Sequence, residues 1–225
     1  MTSRRGDLEQ EARRFAAEIT GLLNNTVTNG IHLSARIDER GRALVRYERP
    51  LSDDASDGVK RSSGDLIPLT ISKKPECFGL RVYHTLTFDE ECKYLRNTQS
   101  SFVLATADGE AVFTYDYVRP APNAYPEAHL HIDGKSESLQ RLLDLSGQKK
   151  RNSRRLHLPV GGRRFRPCLE DIIEFCVTER LVDSHPGWKG VLDEARGRFY
   201  LRQLKAAVRR SPEAAIATLQ DEGYI

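Results

Sequence analysis

Two histidines separated by one residue are the side chains in this sequence best suited to acid–base chemistry. His129 and His131 lie in the segment AHLHI. In a β-strand, residues i and i+2 point to the same face, so the two imidazoles would project side by side with their Cα atoms about 7 Å apart. Because imidazole exchanges a proton near neutral pH, we expect the pair to divide general acid and general base work.

A carboxylate on the preceding predicted strand completes this candidate site. Asp116 lies in the segment FTYDYVR, and we assign it the role of orienting one of the two histidines. The same histidines could instead ligate a metal, more so if His84 faced the same pocket, or they could be structural side chains of an ordinary strand. We assign catalytic roles to His129, His131 and Asp116, and we assign neither a metal nor another cofactor.

A strongly basic segment follows the histidines. Between Asp144 and Glu170 the sequence has no acidic residue, whereas basic residues are frequent, and their local field should attract an anion. Arginine forks beside a flexible glycine pair and the start of a helix suit phosphate groups. The alternative is a solvated loop whose arginines pair with nearby carboxylates. The residues to which we assign phosphate binding are Arg163, Arg164, Arg166, Arg154, Arg155, Lys149 and Lys150.

The histidines and Asp116 would be positioned by an antiparallel sheet. Alternating apolar residues and tight-turn sequences such as ADGE predict adjacent strands joined by hairpins. The strands are predicted at residues 31–37, 42–47, 66–72, 78–88, 100–106, 111–118 and 128–132.

Helical periodicity precedes and follows this set of strands. Apolar residues spaced by three and four predict one helix near the N-terminus. A short helix at 136–145 and helices within 166–182, 187–210 and from Ser211 onward are predicted after the strands. The expected fold class is therefore α+β, a mostly antiparallel sheet with an N-terminal helix and a C-terminal group of three to four helices.

The predicted organisation is one α+β domain with a helical extension. Residues 1–182 form the domain, which contains a mobile loop at 52–65 and the basic segment 149–166, and residues 183–225 form an extension packed on it. A chain of 225 residues is long enough for one sizeable core.

Composition indicates a cytoplasmic protein without a membrane span. No apolar run approaches the roughly 18 residues that cross a bilayer, and the charged N-terminal residues do not resemble a secretory signal. The four cysteines form no C-x-x-C pair, which favours reduced thiols over a zinc cluster or disulfides. The net charge of +3 is too small to identify a polyanionic partner without the local basic segment.

The order of features in residues 113–177 resembles TumE-type toxins of toxin–antitoxin systems. The resemblance is carried by FTYDYVR, then EAHLHIDG, then an arginine-rich segment that opens the helix PCLEDIIEF. It implies that Asp116, His129 and His131 match the aspartate and histidines of that family, and that the protein is cytotoxic through RNA or another phosphate-bearing target. The segment HLPVGGRRFRPCLEDIIEF also resembles an uncharacterised bacterial family, from which no activity follows.

Two classes of function remain open on these grounds. The first is a nuclease-like or other phosphate-directed hydrolase that uses the His-x-His strand and the arginine-rich loop. The second is a non-catalytic module that binds nucleic acid or a protein partner, with structural histidines and an unknown oligomeric state. An enzyme needs the histidines, Asp116 and an arginine in one pocket, whereas a binding module needs only an exposed surface.

Overall fold

The computed structural model describes residues 2–49, 65–121, 125–134, 137, 157–161 and 166–225. These residues form an N-terminal helix, a series of strands and then helices. The elements are α1 (Thr2–Asn24), β1 (Leu33–Ile37), β2 (Ala43–Tyr47), β3 (Ile67–Ile71), β4 (Lys74–Phe88), β5 (Leu95–Thr106), β6 (Ala111–Val118), β7 (Ala128–Ile132), β8 (Leu158–Pro159), α2 (Leu169–Thr178), α3 (Trp188–Arg210) and α4 (Pro212–Asp221).

All strand pairs of the described residues are antiparallel, and they form a single eight-stranded sheet. The strand order is β1-β2-β4-β5-β6-β7-β8. The remaining strand, β3, pairs with the same side of β4 as β2 does, but at a different part of its length. With three helices in the described C-terminal part, this architecture confirms the predicted α+β class.

The first hairpin shows how a short sequence fixes the strand register. In the turn between β1 and β2, the Asp38 carboxylate accepts hydrogen bonds from the backbone N–H groups of Arg40 and Arg42, at 2.9 and 2.8 Å. The backbone hydrogen bond from Arg42 is the largest cause that lowers the pKa of Asp38. Gly41 takes a φ of 72°, which a glycine adopts at little cost.

One face of the sheet carries the hydrophobic core. Apolar residues recurring along α1 pack against β1, β2, β4 and β5, and α2 and α3 add further side chains to the same cluster. The core residues contributed by the helices include Leu8, Ala12, Ala16, Leu23, Leu169, Ile172, Ile173, Leu192 and Ala195. Within the part of the chain that the structure describes, no helix combines the length and apolar character needed to cross a membrane.

The segment before α3 is tied to the sheet and to α1. The Asp183 carboxylate accepts the N–H groups of Ser72 and Lys73, at 3.0 and 2.7 Å, in the left-handed turn that joins β3 to β4. Its own N–H donates to the carbonyl of Thr70, and the N–H of His185 donates to the carbonyl of Thr26. The segment before α3 is therefore attached to the sheet and to the end of α1 through backbone groups as well as through apolar contacts.

Some sequence predictions lie outside the described residues, and others are refined. The short helix at 136–145 falls almost wholly outside, as does the predicted loop 52–65 except for Asp65. The helix predicted from 166 onward begins at Leu169, where the Asp171 carboxylate accepts the N–H of Cys168. Strand alternation puts Ile132 on the same face as Leu130, but Ile132 is 49% exposed because β7 ends there.

Candidate functional site

The pairing of β6 with β7 brings Asp116 beside the two predicted histidines. Asp116 is directly opposite His129, and Thr114 is opposite His131. Residues paired in this way share a face of the sheet, and side chains alternate between faces along a strand. Because Leu130 packs into the core beneath the helices, Asp116, His129 and His131 belong to the opposite, outer face.

The short strand β8 adds a third histidine to this face. Pro159 pairs with His129, and Leu158 pairs with Leu130, so one further step of this register sets His157 opposite His131. The ring centroids are 4.9 Å apart for His129 and His131, 4.7 Å for His129 and His157, and 4.8 Å for His131 and His157. We call His129, His131 and His157 the histidine cluster.

The cluster is compact and only partly open to solvent. One ring nitrogen from each histidine lies within 4.8 Å of the corresponding nitrogens of the other two. His129 is buried, with 7% of its surface exposed, whereas His131 and His157 are partly exposed. Among the described residues, the exposed surface of the cluster therefore comes mainly from His131 and His157.

The position of the proton on His129 follows from its hydrogen bond. Nδ1 of His129 lies 2.9 Å from the carbonyl oxygen of Pro126. A carbonyl oxygen only accepts, so Nδ1 must carry the hydrogen, and a neutral imidazole then has its lone pair on Nε2. Backbone hydrogen bonds of this kind fix the tautomer of functional histidines.

Asp116 acts on His131 through charge. An oxygen of its carboxylate lies 3.8 Å from Nε2 of His131, and 26% of the Asp116 side chain is exposed. That position favours the hydrogen on Nε2, because the carboxylate attracts a positive or partially positive group. Nδ1 of His131 is buried, and no described residue hydrogen-bonds to it.

An aromatic ring holds the third histidine. Tyr125 stacks on His157 with ring centroids 3.8 Å apart and planes 12° from parallel. Such a stack restricts the orientation of the imidazole ring. Tyr125 and Pro126 belong to the connection that enters β7, so a single stretch of chain positions both His157 and His129.

His84 lies on the other side of the sheet, which corrects the suggestion that it could join this pocket. It packs edge-on against Phe15 and Phe102, under α1, and is 4% exposed. Burial, with a smaller contribution from the charge of Arg166, lowers the pKa of His84 to about 3. His84 is thus a neutral core residue at physiological pH.

Of the basic residues predicted to bind phosphate, only Arg166 is among the described residues. Its guanidinium carbon lies 4.1 Å from the ring centroid of Tyr117 and 5.5 Å from that of Phe199. Tyr117 alternates with Asp116 along β6, so this stack is on the helix-covered face, away from the histidine cluster. Arg166 and Asp116 nevertheless border one small concavity at the end of β6. Arg163, Arg164, Arg154, Arg155, Lys149 and Lys150 lie outside the described residues.

His157 is the residue that the sequence patterns did not identify as part of the site. It is far from His131 along the chain and follows a basic run, so no local motif connects the two. Only the pairing of β8 with β7 brings them together.

The chain matches neither a family model, nor a curated protein, nor a solved structure. The residues of the site themselves therefore carry the functional inference.

Proposed function

We propose that this protein hydrolyses phosphodiester bonds in nucleic acid at the histidine cluster on the outer face of β6, β7 and β8. The observation that supports the proposal is the convergence of three imidazoles and the Asp116 carboxylate within one partly exposed group. A purely structural pair of strand histidines would need neither the third imidazole nor the carboxylate.

Hydrolysis of a phosphodiester makes two demands on proton transfer. The oxygen of a water molecule bonds to phosphorus while the bond from phosphorus to the leaving oxygen breaks. The water loses a proton, and the leaving oxygen gains one. Imidazole nitrogens near neutral pH meet both demands, either by transferring the protons themselves or by holding a group that acidifies the water.

The sequence on either side of the cluster favours an anionic substrate. Arg154 and Arg155 closely precede His157, and Arg163 and Arg164 closely follow it. One member of the cluster, His157, is therefore flanked in the sequence by basic residues on both sides. Such a concentration of positive charge attracts the phosphates of a single strand.

The resemblance of residues 113–177 to TumE-type toxins adds an expected biological effect. In this proposal, Asp116 and the two strand histidines are the residues that match the family, and the cellular target is RNA. Expression of the active protein would then slow growth.

The test is cleavage of a fluorescently end-labelled single-stranded RNA, with single-stranded DNA in parallel, by the tag-free full-length chain. The His129→Ala/His131→Ala double variant is compared with His32→Ala, a substitution of an exposed histidine outside the cluster. We expect a loss of about 10²–10⁴-fold in the double variant and wild-type rates in the control. Thermal unfolding checks that both variants are folded.

Two results would overturn the proposal. One is equal cleavage by the wild type and by a folded double variant, which would mean that the cleavage does not arise at this site. The other is RNA binding without cleavage in every protein, which would support the non-catalytic binding module instead.

A further inference from the structure

We propose that His129, His131 and His157 together bind one divalent transition-metal ion, with Zn²⁺ the ion that best suits the site. The sequence raises metal binding by His129 and His131 as an alternative, but no sequence pattern identifies the three-histidine site, because His157 joins the other two only through the pairing of β7 and β8. The metal's role in catalysis rests on the proposed function, whereas metal binding itself is measured without it.

The spacing of the nitrogens is close to what a metal requires. With zinc–nitrogen bonds of about 2.0–2.1 Å, two ligands of a tetrahedral site are separated by about 3.4 Å. One ring nitrogen from each of the three histidines already lies within 4.8 Å of those of the other two. In this proposal, metal binding draws the three nitrogens together from this spacing to the shorter one of a tetrahedral site.

The hydrogen bond to Pro126 prepares His129 as a ligand. Because Nδ1 donates to the carbonyl oxygen, Nε2 presents its lone pair. Metal-bound histidines almost always donate their other ring nitrogen to a carbonyl or carboxylate, which orients the ring and raises its basicity. His129 already has that arrangement in the chain alone.

In His131 the other ring nitrogen, Nδ1, is the one available to bind a metal. The Asp116 carboxylate lies 3.8 Å from Nε2 and favours the hydrogen there, so the lone pair falls on Nδ1. That Nδ1 is buried and has no hydrogen-bond partner among the described residues. A buried acceptor normally has a partner, because its loss of hydration is otherwise uncompensated. A metal ion bonded to Nδ1 would supply one.

The ligand chemistry identifies the class of ion. Three neutral imidazoles suit Zn²⁺, Cu²⁺ or Ni²⁺ and are a poor match for Mg²⁺ or Ca²⁺, which prefer oxygen. The Asp116 carboxylate beside His131 offsets part of the ion's charge.

Three protein ligands leave the fourth tetrahedral position open. A zinc ion held by these ligands would lower the pKa of a water bound there to about 7 and so would supply the nucleophile for phosphodiester hydrolysis. The proton that this water lost would pass to solvent, solvent water would protonate the leaving oxygen, and the three imidazoles would stay neutral as ligands.

The test is a titration of the tag-free, chelator-treated chain with ZnCl₂, in which isothermal calorimetry measures binding. In a parallel titration with Co²⁺, visible absorption reports tetrahedral coordination. We expect one ion per chain. Because loss of an outer hydrogen-bond partner alone costs about 10–100-fold in metal affinity, His157→Ala, which removes a ligand, should weaken binding by at least about 100-fold. His32→Ala and His185→Ala are the matched controls and should bind as the wild type does.

His157 is the preferred variant because it precedes the short edge strand β8 and does not contribute to the buried core, so its loss is least expected to impair folding. Nitrogen NMR of the imidazoles gives a second readout. Addition of Zn²⁺ should shift Nε2 of His129 and Nδ1 of His131 and leave His32 unchanged.

Failure of this inference can be told apart from failure of the proposed function. Absence of stoichiometric binding, or equal binding by His157→Ala, would overturn the metal site. Full RNA cleavage in excess chelator would also overturn the catalytic use of the metal, while the proposed function would stand. Tight binding without cleavage would support the metal site and overturn the hydrolase.

Discussion

The carboxylate of Asp116 and Nε2 of His131 lie 3.8 Å apart on neighbouring strands, on the face of the sheet opposite the one that the described helices pack against. The contact links an acidic residue to a histidine cluster whose third member, His157, comes from a separate part of the chain. The negative charge of the site, the tautomers of its histidines and the position of its third histidine are therefore set by three different parts of the chain. Each of these properties can be changed by a separate substitution.

Asp116 should act on the cluster without being a ligand itself. Replacement by Asn keeps the shape and removes the charge that favours a hydrogen on Nε2 of His131. We expect Asp116→Asn to lower Zn²⁺ affinity and RNA cleavage by about 10–100-fold, the range typical for loss of an outer group that supports a metal ligand. Calorimetry and the cleavage assay measure the two effects, with Asp221→Asn, at the exposed end of α4, as the control. An unchanged affinity would contradict the role assigned to Asp116.

His84 should make folding stability depend on pH. Its pKa is about 3 in the folded chain and about 6.5 when exposed, so the unfolded chain takes up a proton first as the pH falls below 6.5. The contribution of His84 to the free energy of unfolding is therefore fully present above pH 6.5. It is lost as the pH falls toward 3, at about 1.4 kcal/mol per pH unit.

Denaturant unfolding at pH 7, 6 and 5 measures this loss. The window lies above the range in which most carboxylates titrate, so Asp and Glu contribute little to the change. His84→Asn removes the titrating group and keeps an acceptor for Asn97, whose side-chain nitrogen lies 3.2 Å from Nδ1 of His84. We expect the variant to be less stable at pH 7, and its stability to fall by about 2 kcal/mol less than that of the wild type between pH 7 and pH 5. Parallel curves for the two proteins would contradict the assignment.

Gly79 should tolerate no side chain. A Cβ at this position would lie 2.3 Å from Cγ of Leu66 and 2.7 Å from the carbonyl oxygen of Ile67, and the latter is backbone that cannot move freely. We expect Gly79→Ala to destabilise the fold by about 1–3 kcal/mol, the usual cost of overpacking. Thermal unfolding measures the change.

Gly197 provides the opposite expectation with the same substitution. It lies within α3, where an added Cβ meets no atom within 4 Å. Gly197→Ala should stabilise the chain by about 0.5–1 kcal/mol, because alanine loses less conformational freedom in a helix. Equal effects at the two glycines would show that contact with Leu66 and Ile67 does not decide the cost.

The sequence by itself determined the fold class and the local elements. Alternating apolar residues and tight turns predicted the hairpins of the sheet. A glycine and a proline mark the starts of the two helices that follow Gly187 and Ser211. These signals are local, since strand alternation and helix periodicity repeat over a few residues. The same alternation correctly put His129 and His131 on one face.

Tertiary structure decided the composition of the candidate site. The register between β6 and β7 set Asp116 against His129, and the pairing of β8 with β7 brought His157 to His131. The position of α1 decided that His84 would be buried under Phe15 and not join them. Such pairings depend on which strands meet across the whole sheet, and strand pairing between distant segments leaves no repeating pattern in the sequence to be read.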